Sequence, residues 1–201
     1  MEKINQRSIF AAEVARIADS NLFFLDETGL NKHTVRSYGY SPKDTKAYLT
    51  VPTNKGQNVS LMCLISNLGV ECYQYKNGAY NTQSFIDFIN NKLVRFFAVN
   101  PNKILILDNA KFHKAAAVLQ LLREKNITHK FLVPYSPELN PIEEFFSMLK
   151  SNFKSTRNAN PDMTVKETLE YILSPDKQQC SAFYINMRRW LEKAIRREEF
   201  I

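Results

Sequence analysis

The chain has 201 residues, 44% of them hydrophobic and 12% aromatic, with a formal charge of +7. That balance is too apolar for a disordered chain and suits one domain with a sizeable core. Its apolar runs, such as Leu61 to Ile65, stop far short of the roughly 20 residues of a membrane-spanning helix, no charged-then-apolar leader opens it, and its pI near 9.3 favours an acidic partner such as nucleic acid.

In chain order, residues 1–20 read as a helix or linker, with Phe10, Val14 and Ile17 at helical spacing. NLFFLDETG follows, an apolar run ending in acid, threonine and glycine, which predicts a buried strand running into a loop. Residues 31–57 are polar and broken by Gly39, Pro42, Pro52 and Gly56, which predicts an extended, hairpin-like insertion with short strands. VSLMCLIS (59–66) and VECYQY (70–75) form a predicted hairpin across Asn67, Leu68 and Gly69. Asn81 is positioned to cap a helix over 82–97 with an apolar stripe of Phe85, Phe88, Ile89 and Leu93. KILILD (103–108) is a second buried strand, followed by a helix over 113–125 and a strand HKFLV (129–133). PYSPELNP is a rigid loop, and a helix runs from Pro141 to about Phe153. Two more helices fit 164–173 and 179–198.

A hairpin meander followed by strand–helix–strand crossovers gives an α/β domain: a mixed five-stranded sheet flanked by helices. The simplest partition is an N-terminal helix or linker (1–20), a catalytic domain (21–155) and a helical C-terminal extension packed on it (156–201). Cys63, Cys72 and Cys180 are odd in number and widely spaced, with no CxxC pair. They read as thiols in a reducing compartment, with neither zinc nor disulfides indicated.

Two predicted strands end in an aspartate. Leu22, Phe24 and Asp26 share one strand face, and so do Ile104, Ile106 and Asp108. Acids just beyond the carboxyl ends of neighbouring strands would repel unless protonated or bridged by a cation. Hard oxygen donors of this kind suit Mg²⁺, which completes its shell with water and phosphate. Each aspartate alone could equally open a turn. The third acid, Glu143, lies three residues past Asn140, the place of a capping-box glutamate. On the helical wheel Ile142, Phe145, Phe146, Leu149 and Phe153 form the buried stripe, while Glu143, Ser147, Lys150 and Lys154 share a neighbouring polar face and Glu144 points further round. Capping and metal ligation are compatible roles for Glu143.

FLDETG, LILDNAKFHK and VPYSPELNPIEEFFSMLK resemble the three signature blocks of the Tc/mariner superfamily of DDE transposases, including its bacterial insertion-sequence relatives. RSYGYSPK (36–43) is similar to the family as well, and the 34 residues between Asp108 and Glu143 are a spacing typical of one major branch. The resemblance covers roughly residues 20–155. It implies an RNase H-like fold and cut-and-paste transposition, with Asp26, Asp108 and Glu143 as the catalytic, metal-binding triad. It also implies two Mg²⁺ ions, replaceable by Mn²⁺, that activate a water or DNA 3′-hydroxyl and stabilise the leaving oxygen. Glu27, Asp44 and Glu138 stay outside the triad on this reading, and Glu27 lies on the opposite strand face from Asp26.

The implied partners are transposon-end and target DNA, and a second copy of the chain in a homodimeric synaptic complex. Lys111 and His113 could touch phosphate; His113 could equally be a helix-start residue serving backbone groups. Lys150 and Lys154 are further DNA candidates or part of a solvated face, and Arg36 and Lys43 could contact DNA or a second subunit. Phe183, Met187, Trp190 and Ala194 form a stripe expected to pack on the core, beside a basic flank of Arg188, Arg189, Lys193, Arg196 and Arg197. Full-length relatives carry helix-turn-helix modules ahead of the catalytic domain, whereas only 25 residues precede Asp26 here. Those modules are expected on another chain, or lost by truncation, frame splitting or domestication. The expected compartment is the nucleus in a eukaryote and the cytoplasm in a bacterium. Two alternatives remain open at this level: a domesticated or truncated nucleic-acid-binding protein without catalysis, and another RNase H-like nuclease.

Overall fold

The computed structural model describes residues 2–31, 40–46, 48, 58–174 and 180–200. Helix α1 (Glu2–Val14) leads into strand β1 (Leu22–Leu30), and the hairpin β2 (Val59–Ile65) and β3 (Val70–Asn77) follows. Helix α2 (Thr82–Phe88) continues through a π turn (Ile89–Leu93) into α3 (Val94–Val99). Then come β4 (Ile104–Leu107), α4 (Ala116–Glu124), β5 (His129–Phe131), α5 (Pro141–Ala159), α6 (Val165–Ile172) and α7 (Ser181–Ile195). The sheet order is β3-β2-β1-β4-β5; β1 is antiparallel to β2 and parallel to β4.

β1 is the centre of the sheet, and its sequence shows why. Leu22 to Asp26 are five consecutive buried residues, the pattern of a strand covered on both faces. Strand alternation sends Leu22 and Phe24 to one side, where α1, α5, α6 and α7 pack through Phe10, Phe145, Leu169 and Tyr184. Phe23 and Leu25 go to the other side, against Phe85 and Phe88 of α2 and Val118 and Leu122 of α4. Tyr184, almost fully buried, donates its hydroxyl to the Leu22 and Ile65 carbonyls at 3.0 and 3.3 Å, pinning α7 to two strands.

Two helix starts carry reciprocal capping boxes, the first at the expected Asn81. Asn81 accepts the Ser84 N–H while the Ser84 hydroxyl accepts the Asn81 N–H, both at 2.9 Å, and Thr164 and Glu167 form the same reciprocal box on α6. Met187 and Ala194 of the α7 stripe are buried, and Phe183 and Trp190 pack against the same core. Arg188 departs from the expected basic flank: its guanidinium donates to Asp19, to the Val14 carbonyl at 3.2 Å and to the Ile17 carbonyl, so it anchors α7 to the segment after α1.

Several boundaries differ from expectation. β1 does not end at Asp26 but runs to Leu30, because residues 26–30 pair with Cys63 to Val59 of β2. The helix expected from 113 begins at Ala116, since residues 111–114 form a turn with the His113 N–H on the Ala110 carbonyl at 3.1 Å. β5 is three residues long, and α5 continues to Ala159, beyond the expected end near Phe153. Most of the 31–57 insertion, with its expected short strands, lies outside the described residues; the described part holds a turn at Pro42–Thr45. Among the described residues no helix is long and apolar enough to cross a membrane.

Candidate active site

The register of β1 and β4 sets up the site. Phe24 is level with Ile106 and Leu25 with Leu107, so Asp26 and Asp108 come next on adjacent parallel strands. β4 stops at Leu107 while β1 continues, which leaves Asp26 inside the sheet and Asp108 at its rim. Asp26 is 8% exposed. Its Oδ1 accepts the Glu27 N–H at 2.7 Å, and its Oδ2 accepts the Asn140 amide at 3.3 Å. Asp108 keeps 37% of its side chain exposed; its Oδ1 accepts the Ala110 N–H at 3.1 Å and faces His113 Nδ1 at 2.5 Å.

Glu143 enters from the first turn of α5 and is exposed. It lines a cleft of about 450 Å³ together with Asp108, Asn109, Tyr135, Ser136 and Asn140. Asp26 is joined to that cleft through Asn140, whose amide it accepts. A larger groove of about 1080 Å³ runs along the edge of β3, well away from these acids.

Electrostatics separate the two aspartates. Burial pushes Asp26 up to about 8, and the charges of Asp108, Glu27 and Glu143 push the same way against the opposing Glu27 N–H. Burial also disfavours the Asp108 anion, but its hydrogen bonds from His113 and Ala110 outweigh that and hold it below the usual carboxylate range. The donor set therefore fits a hard divalent cation: oxygen ligands, clustered negative charge, and one acid ionised only against strong opposition until a cation offsets it. Among the described residues, no three Asp, Glu, His or Cys side chains already lie around one point at ligand spacing. Hydrogen bonds occupy the inner oxygens instead, Asn140 on Asp26 and His113 on Asp108.

The sequence expectations fare unevenly. Asp26, Asp108 and Glu143 are brought to one end of the sheet. Glu144 points away as the wheel predicts, accepting the Asn186 amide at 2.6 Å and tying α5 to α7. His113 is corrected on both of its expected roles. It is 0% exposed and so cannot touch DNA, and its ring nitrogens face Asp108 and, at 3.9 Å, Glu27. Lys111 and Lys43 are exposed, Lys150 and Lys154 are half-buried on α5, and Arg36 lies outside the described residues.

Asn140 is the functional contact that sequence reading missed. It precedes α5 but makes no side-chain cap, so the expected capping box with Glu143 does not form. The following Pro141 biases Asn140 to extended backbone (φ −116°, ψ 93°), and its side chain turns to Asp26 instead. The signal was present in the Asn-Pro pair but was read only as a helix start.

Residues 21–166 match the family model described as DDE superfamily endonuclease. The fold is shared with the strand transfer complex of Mos1 (TM-score 0.71, 18% identity), where the match covers 99% of this chain and 61% of that one, so this chain spans about three-fifths of the length of that transposase. The pre-cleavage Mos1 transpososome is similar (TM-score 0.71, 19% identity, 99% and 62% covered). The catalytic domain of Mos1 mariner transposase matches over 100% of this chain and 94% of its own length (TM-score 0.64, 18% identity). An uncharacterized protein of Sinorhizobium fredii (strain NBRC 101917 / NGR234), y4pE/y4sA, is 43% identical over 54 residues, 27% of this chain and 38% of that protein. With an RNase H-like sheet, carboxylates gathered at its rim and a family match across most of its length, the chain belongs to the DDE superfamily endonucleases.

Proposed function

We propose that this chain is the catalytic domain of a cut-and-paste DNA transposase, with Asp26, Asp108 and Glu143 as its catalytic, metal-binding acids. The observation that carries the reading is the acid cluster: Asp26 and Asp108 directly follow the level pair Leu25 and Leu107 of adjacent parallel strands, and Glu143 shares the cleft with Asp108. Mos1 paired-end complexes have been solved with Mg and with Mn. When bound here, two such ions would supply an activated hydroxyl nucleophile and charge stabilisation at the leaving oxygen.

The protein's own part is positioning and charge. Asn140 and the Glu27 N–H orient Asp26; the Ala110 N–H and His113 orient Asp108. The exposed Lys111 beside Asp108, and Lys150 and Lys154 along α5, would meet DNA phosphates flanking the cleft, with Arg36 and Lys43 as further contacts. We assign the chemistry to residues 21–155, with residues 1–20 and 156–201 closing the core around it. The proposed partners are transposon ends and target DNA, held by two copies of the chain.

The test is divalent-metal-dependent nicking or strand transfer on duplex DNA. Asp108→Asn is expected to lower it at least about 1000-fold while its melting temperature stays near wild type. A variant that nicks as fast as wild type would overturn the assignment. Salt-sensitive DNA binding with no metal effect would favour a non-catalytic binder, and preference for RNA–DNA hybrid another RNase H-like nuclease.

A further inference from the structure

We propose that His113 is a buried positioning residue for Asp108, acting through Nδ1 to fix the carboxylate in the orientation that binds a divalent cation. The inference rests on the reading of Asp108 as a metal ligand and extends it to what stands behind that ligand.

Asp108 lies one residue past the end of β4, so no strand pairing sets its side-chain direction. Two donors do so. The Ala110 N–H and His113 Nδ1 both reach Oδ1, while the exposed part of the carboxylate fronts the cleft. A carboxylate accepts, so at 2.5 Å from Oδ1 the ring nitrogen Nδ1 is the donor, beside the Ala110 N–H on the same oxygen. The sequence allows this because residues 109–115 form a tight loop, in which the His113 N–H on the Ala110 carbonyl brings the ring back to the residue five positions earlier.

The ring itself has little freedom. It is fully buried, with Phe112 and Phe85 at 4.2 and 4.5 Å between ring centroids. Its far nitrogen Nε2 faces Glu27 Oε2 at 3.9 Å, and neither of these buried atoms has a hydrogen-bond partner. Glu27 projects from β1 on the face opposite Asp26. His113 thus braces Asp108 from the side of the sheet away from the other two acids. A residue needed only to fill the space between Phe85 and Phe112 would not require a nitrogen at 2.5 Å from the carboxylate. Hydrogen-bonded partners of this kind orient metal ligands and tune their affinity.

The test compares three substitutions in the whole chain, with Mn²⁺ binding measured by titration calorimetry or electron paramagnetic resonance. His113→Phe keeps the ring and removes both nitrogens; His113→Gln places an amide near Nε2; His113→Asn places one near Nδ1. Phe and Gln are expected to weaken Mn²⁺ binding about 10- to 100-fold. Asn is expected to recover most of that loss, and nicking activity should follow the same order. Melting temperatures in chelator identify any variant that fails to fold, and the Asn and Gln pair decides the question without Phe. Equal Mn²⁺ affinity in Asn and Gln variants of matched stability would overturn the proposal. Asp108→Asn is measured alongside. If it binds Mn²⁺ like wild type, the ligand assignment falls and the His113 role with it; if it loses binding while the His113 variants do not, only the His113 role falls.

Discussion

At the residue scale, Asp26 and Asp108 are one chemical type in opposite surroundings. Asp26 is buried among like charges, so without a cation its proton stays on well past the usual range, up to about 8. In the unfolded chain it titrates near 3.8. Between those values the folded state binds the extra proton, so metal-free stability should fall as pH rises from about 4 to about 8. Thermal melts in chelator across that range should show the decline, and Asp26→Asn should flatten it. A profile unchanged by Asp26→Asn would show that the acid is not held in its neutral form. Asn140 yields a second expectation. Its amide serves Asp26 and not the helix end, so Asn140→Ala should cost about tenfold in metal affinity or activity with little loss of stability. A full N-cap loss of ~1 kcal/mol with unchanged activity would contradict this. The three cysteines, expected as free thiols, are free, with Cys63 and Cys180 buried and Cys72 half-buried. Burial pushes Cys72 and Cys180 up to about 12 and Cys63 well above its ordinary value, so none should react with a thiol reagent at neutral pH until the protein unfolds.

At the element scale, helix and strand periodicity located most segments, because the apolar positions that build a face are local in sequence. Their ends were less legible. β1 outruns its apolar stretch because β2 is there to pair with Asp26 through Leu30, a partner 29 to 37 positions away in the chain. The α4 start was placed too early because the turn at 111–114 is shaped by contacts of His113 rather than by propensity. Helix α7 shows the same gap between face and role. Its apolar stripe was read correctly, while Arg188 was read as part of a basic flank and instead closes the α1–β1 junction. Arg188→Ala should therefore lower stability by about 2 kcal/mol, the cost of leaving part-buried backbone carbonyls without their donor. Calorimetric melting and a DNA-binding isotherm would check this. Unchanged stability with weakened DNA binding would return Arg188 to the basic flank.

At the scale of the whole molecule, the +7 charge favours a polyanionic partner, and the proposed function would separate encounter, driven by that charge, from chemistry at the acid cluster. The two would act at different places: Lys150 and Lys154 lie further along α5, while Asp108 and Glu143 line the cleft. Lys150→Ala and Lys154→Ala should each lower the slope of log affinity against log salt by about one, without changing metal affinity. A slope that does not move would place both residues on a solvated face.

By itself the sequence determined the fold class and singled out the three candidate acids. Apolar periodicity is a local property, and the signature blocks bring Asp26, Asp108 and Glu143 with their own strand and helix contexts. It could not determine how those acids are held. Asn140 reaches across 114 positions to Asp26, and Glu27 meets His113 only because alternation on β1 turns it to the side where Phe85 and Phe112 enclose that ring. Contacts of that kind depend on which faces meet once the sheet has formed, and no pattern within a single segment encodes them.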